Sequence, residues 1–183
     1  QGADARIDQF RITPGIARYT GSYLPRSKSF ARRWPVFDTD YRSVSTLLNF
    51  DTLADESFNR YPITANGTAG LSNVSPAIGA YDSGPLNGTD YYQLSNDLSN
   101  IGTDDFTIEF SINPLGTGTD RGILGQGYQI DGATHFVMNT LNEIELTGYL
   151  TEYKTLWTGP ALTDGTWYDI AICRSAGVIK GFV

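Results

Sequence analysis

The 183-residue chain is long enough for one domain with a full hydrophobic core, and its 20 Gly, 11 Tyr and 9 Phe, with abundant Thr, Ser and Asn, describe an all-β protein. A net charge of −7 argues against a nucleic-acid binder, which needs clustered Lys and Arg to meet phosphates. No apolar run approaches the ~18 residues of a membrane span, and a single cysteine leaves no internal disulfide.

Residues 5 to 12 (Ala-Arg-Ile-Asp-Gln-Phe-Arg-Ile) read as a strand, and Thr13 to Tyr19 as a short turn. Pro25 to Pro35, carrying Arg26, Lys28, Arg32 and Arg33, reads as an exposed basic linker or as a segment that docks on an acidic neighbour. Charge changes sign here: residues 1 to 42 hold eight basic groups against four Asp, and the remainder is strongly acidic. Val44 to Phe50 follows as a strand, then an acidic loop through Asp51, Asp55 and Glu56. Tyr61, Ile63 and Ala65 alternate in an outer strand, and Tyr91 to Leu94 makes another.

The clearest signal lies at 104 to 114. Phe106, Ile108, Phe110 and Ile112 alternate without fault with Thr107, Glu109, Ser111 and Asn113, and Pro114 closes the run. A period of two puts the large apolar groups on one face, so the expectation is a half-buried antiparallel strand on which the core is built. Downstream, Gly122 to Gly127 reads as a glycine-rich strand. His135 to Asn139 and Glu143 to Tyr149 predict a hairpin over Leu141-Asn142. Trp167 to Arg174 predicts a second hairpin with Val178 to Val183. Cys173 falls in a core or near-core place within that strand, the usual position of a free cysteine.

Two stretches carry a family resemblance. Gly-Thr-Asp-Asp-Phe-Thr-Ile-Glu-Phe (102 to 110) resembles the central strand of laminin-G-like, concanavalin A-like jelly-roll domains. Asp164 to Ser175, with Trp167-Tyr168 opening a strand that ends in Arg174-Ser175, resembles their later motif; Ser111 and Asp169 depart from the tryptophan and histidine common there. The implied fold is an antiparallel jelly-roll β-sandwich. The segment from Ile7 to Pro25 resembles the closing strand and exit of such domains in phage tail and virion proteins and bacterial surface proteins. A family ending therefore precedes a family beginning. This divides the chain into 1–36, the end of a preceding domain plus linker, and 37–183, a domain whose final strands would follow Val183. Two arrangements fit: a window from a tandem array, or a permuted domain whose residues 1 to 24 close its own sheet.

No catalytic set is recognisable. Glycan-cutting members need paired carboxylates flanking the bond, whereas Glu143-Ile-Glu145 lacks the rest of the glucanase pattern and Glu109 stands alone on its strand. His135 has no companion histidine or cysteine for zinc. The reading is therefore non-enzymatic. The resemblance implies a structural calcium, with Asp51 after the first strand and Asp8 in the closing strand as the matched ligands. It also implies glycan binding through aromatic side chains, for which Tyr149, Tyr153 and Trp157 form the densest set outside the motifs. The expected role is a structural and adhesion module on the extracellular surface of a phage virion, in a tail appendage or on the capsid. Its partners would be other virion subunits, neighbouring copies of itself and cell-surface glycans. The alternative is a carbohydrate-binding module of a secreted bacterial adhesin or polysaccharide-degrading enzyme.

Overall fold

A computed structural model describes residues 2–25, 27–30, 38–94, 101, 103–116, 120–125, 134–149 and 152–183. Twelve strands are present among them: β1 (Gly2–Pro14), β2 (Thr46–Leu48), β3 (Ile63–Asn66), β4 (Leu86–Gly88), β5 (Tyr91–Leu94), β6 (Phe106–Pro114), β7 (Arg121–Gly125), β8 (Thr134–Met138), β9 (Glu143–Tyr149), β10 (Tyr153–Ala161), β11 (Tyr168–Ser175) and β12 (Val178–Phe182). No α-helix occurs among the described residues. Both expected hairpins form. Strands β8 and β9 turn through Asn142, which takes a positive φ, and β11 and β12 turn through Ala176-Gly177, where both φ values are positive, as a tight two-residue hairpin requires.

The main path runs β10-β9-β8-β7-β1-β6-β11-β12, with β2 and β4 also paired to β1. Strands β7 and β1 meet at a single parallel bridge, Gly2 to Gly122, whereas the other pairs on the path are antiparallel. That thin seam lets the path fold into two packed layers, and one hydrophobic core joins them. Phe106, Ile108, Phe110 and Ile112 meet Phe136 and Met138 of β8 and Ile144 and Leu146 of β9. Phe110 and Phe136 lie edge to face, with ring centroids 6.1 Å apart. This is an all-β, predominantly antiparallel sandwich.

Strand β1 is internal to the sheet. Residues 5 to 14 pair with β6, and Phe10 to Ile12 pair with β2. The segment read as a closing strand lies between β7 and β6 in this sheet. One adjustment makes its pattern fit. Between Asp8 and Arg11 the register slips by one residue, and Gln9 takes a φ of 52°. This bulge absorbs the extra residue, so Ile7, Phe10 and Ile12 all face the core while Asp8, Arg11 and Thr13 face the opposite side.

The expectation of a half-buried β6 needs correction, since all nine of its residues are buried. The polar face is covered by the segment after β1 and by residues 38 to 47. Phe30, Tyr41, Val44 and Leu47 form a second small core there, and the Phe30 ring sits 4.0 Å from the Arg11 guanidinium. Polar residues survive under this cover because they are paired. Glu109 does not stand alone: its Oε2 accepts from Arg11 Nε at 2.7 Å and Nη2 at 2.5 Å, and its Oε1 accepts from Tyr19 Oη at 2.6 Å. Arg11 also reaches Asp38, which Arg18 pairs from the other side at 3.0 Å. Burial and the adjacent Glu109 carboxylate push the Tyr19 phenol well above its ordinary range. Cys173 is buried beside Thr107, 3.2 Å from its hydroxyl, and burial raises its thiol pKa.

Candidate functional site

Strands β8, β9 and β10 form the layer whose outer face lies away from the core. Strand alternation sends Phe136, Met138, Ile144 and Leu146 inward and leaves His135, Val137, Glu143, Glu145 and Thr147 on the other side. Register aligns these into rows: His135 opposite Thr147 opposite Thr155, and Val137 opposite Glu145 opposite Thr158. At one end Tyr153 lies opposite Tyr149. Tyr153 is 41% exposed, and its ring meets the His135 imidazole edge to face at 5.4 Å. At the other end Asn139 Nδ2 donates to both Glu143 Oε2 at 2.8 Å and Glu145 Oε1 at 2.9 Å. Its own Oδ1 accepts from the backbone of Leu141 and Glu143, which fixes the amide at the hairpin turn.

The face is therefore a hydroxyl- and carboxylate-lined strip with an aromatic ring at one end. His135 Nε2 is buried with no hydrogen-bond partner among the described residues, and burial lowers its pKa, so the ring is neutral at pH 7. An uncharged imidazole packed against Tyr153 steadies the phenol ring without placing a charge beneath it.

Trp157 faces elsewhere. It pairs in register with Leu146, on the inward side, after a bulge between Thr155 and Trp157. It packs half-buried against the core, and its indole lies over Gly181 of β12, where a Cβ would collide with it. The three expected glycan-binding aromatics thus divide: Tyr149 and Tyr153 share a register position, and Trp157 bridges the edges of β10 and β12. A bulge that reverses facing cannot be seen in residue spacing alone, which is why sequence grouped the three.

The two expected calcium ligands converge on one loop. Asp8 Oδ2 accepts from the backbone of Ala77 at 3.1 Å and Ile78 at 3.0 Å, and its Oδ1 accepts from Gln9 N and Nε2. Asp51 Oδ1 accepts from Ala80 N at 2.8 Å. Calcium requires six to eight oxygen ligands, and the groups aimed at Asp8 are N–H donors that already fill its lone pairs. Among the described residues no three acidic, histidine or cysteine side chains gather for a metal. In this geometry the pair clamps residues 77 to 80 and does not fit a cation. Burial pushes the Asp8 carboxyl up to about 6, held back by those same donors.

A family model described as the concanavalin A-like lectin/glucanases superfamily, of laminin-G type, matches residues 86–183, just over half of the chain. The chain belongs to that superfamily. The match spans β4 to β12, so it contains both expected motifs and the whole β8–β10 face. No curated protein and no solved structure gives a significant match. For a lectin/glucanase-type sandwich, a polar strip bordered by an exposed tyrosine is the kind of surface that holds a sugar ring: the aromatic face stacks on C–H groups while fixed polar atoms take the hydroxyls.

Proposed function

We propose that this protein is a non-enzymatic glycan-binding adhesion module that uses the outer face of β8–β10. The observation that carries the reading is the exposed Tyr153 ring, braced by neutral His135, at the head of a strip of Thr155, Glu145 and Asn139. Tyr153 serves as the stacking platform. The Glu143 and Glu145 carboxylates, oriented by Asn139, accept from sugar hydroxyls. These acids argue for binding over hydrolysis: both sit on one strand and share one amide donor, whereas hydrolytic carboxylates flank the scissile bond from two sides.

The setting we favour is the extracellular surface of a virion, in a tail appendage or on the capsid, beside other virion subunits or copies of the same chain. Its support is the likeness of residues 7 to 25 to the exit segment of such proteins. The test of the site is a glycan array probed with the wild type and with Tyr153→Ala. Saturable binding lost in the variant, with no released product, supports the module; product release would instead make it a hydrolase. Recovery of the chain in purified particles would support the virion setting over a secreted bacterial binding module.

A further inference from the structure

The outer face of β8–β10 holds two carboxylates with no cation to meet them. Asn139 Nδ2 gives one hydrogen to Glu143 Oε2 and the other to Glu145 Oε1. Glu143 Oε1 and Glu145 Oε2 are left without a donor among the described residues, and neither acid has an ion pair there. An amide orients the two side chains but carries no charge, so it does not offset theirs. Strand alternation turns Lys154, the residue after Tyr153, to the other side of β10, and its ammonium lies 3.7 Å from Glu152. A sugar hydroxyl can donate to the two open oxygens. Only an ammonium also cancels their charge, and it brings three donors where a hydroxyl brings one. An acidic sugar would meet like charge on this face.

Spacing along the strands sets the length of the ligand. Tyr153 lies opposite Tyr149 and Thr158 lies opposite Glu145, so the ring and the nearer acid sit four residues of β9 apart. At the rise of an antiparallel strand that is on the order of 13 Å, more than one sugar ring spans. The platform and the acids therefore engage different units of a chain. We propose, on the footing of the glycan-binding reading, that this face selects a linear oligosaccharide of amino sugars whose amines are free, not acetylated. One ring stacks on Tyr153, and the ammonium of a unit further along sits between Glu143 and Glu145. Asn139 acts as a positioning residue, holding the two carboxylates so that one oxygen of each stays open. Acetylation would remove the charge and bury an amide where the acids want a cation, and a uronate would be repelled.

The test is titration calorimetry of the whole chain at about pH 6, where sugar amines are protonated. The probes are the β-linked tetramer of glucosamine, its fully N-acetylated counterpart and a galacturonate tetramer. The glucosamine tetramer is expected to bind roughly tenfold tighter than the acetylated one, the scale of two partly exposed ion pairs. That advantage should shrink as salt is raised, and galacturonate should not bind. Glu143→Gln/Glu145→Gln keeps the shape and removes the charge, so it should bring the ratio of the two affinities close to one. If the double variant fails to fold, Glu145→Gln alone should at least halve that ratio. Equal affinity for the two tetramers in the wild type would overturn the proposal; if Tyr153→Ala then weakened both, the glycan face itself would stand. A preference that survives in the folded glutamine variant, or tightest binding of galacturonate, would overturn it equally. Failure of every glycan to bind would remove the face and the proposal together.

Discussion

Arg11→Met tests whether β1 is a working part of this sheet. Arg11 is 7% exposed and holds three contacts: two charge-assisted bonds to Glu109, which is fully buried, and one to Asp38. Methionine keeps much of the aliphatic stem and removes the guanidinium, together with its stacking over the Phe30 ring. Glu109 then keeps its bond from Tyr19 but loses its cation in a site without solvent, while Asp38 retains Arg18. Removing one partner of a buried ion pair costs about 3–5 kcal/mol. At roughly 2–4 °C per kcal/mol for a chain of this size, the melting temperature should fall by about 6–20 °C. Thermal and urea unfolding followed by circular dichroism would read the change. The double variant Arg11→Met/Glu109→Leu should recover part of the loss, because it removes the stranded charge as well. A shift of less than about 2 °C in the single variant would refute the reasoning, since β1 could then not lie against β6 as described.

Three further outcomes follow from the same contacts. Asp8 titrates near 6 in the fold against 3.8 in an open chain, so its contribution to stability is present below pH 4 and is lost as pH rises through 6. At 1.36 kcal/mol per pKa unit the loss amounts to about 1–3 kcal/mol, and unfolding free energies of wild type and Asp8→Asn measured from pH 4 to 7 should differ in slope over that window. Gly181→Ala should drive the Trp157 indole off β12 and cost about 1–3 kcal/mol, read as a red shift in tryptophan fluorescence together with a lower melting temperature; an unchanged spectrum would mean the contact is absent. Because Asp8 is saturated by N–H donors, adding a calcium chelator should leave the melting temperature unmoved, and a drop would show that residues 77 to 80 rearrange around an ion.

Much of this fold was legible from local pattern. The alternation from Phe106 to Ile112, the Asn-rich turn at 139 to 142 and the Ala176-Gly177 turn each specify a structure that needs no distant information. Three features were not legible, each for a physical reason. The burial of both faces of β6 depends on a cover that includes Arg18, Tyr19, Phe30 and residues 38 to 47, and the contacts of Arg11, Arg18 and Tyr19 that hold it reach partners about 20 to 100 residues away in sequence. The bulge at Gln9 is a backbone event at a residue with no turn signature. The bulge before Trp157 likewise turned that residue inward, so spacing grouped Trp157 with Tyr153 although the sheet separates them. A sequence signal for the site did exist in Glu143-Ile-Glu145: two acids two residues apart share a strand face. Its link to Asn139 needed the hairpin to be closed.

The most direct test of the central claim is the affinity of Tyr153→Ala for whichever glycan the wild type selects on an array, measured by titration calorimetry beside the melting temperatures of both proteins. The account predicts a loss of affinity of about five- to thirteenfold, the scale of one lost stacking contact of about 1–1.5 kcal/mol, with the melting temperature nearly unchanged because the ring is exposed. Undiminished affinity, or no glycan bound by the wild type at all, would contradict it.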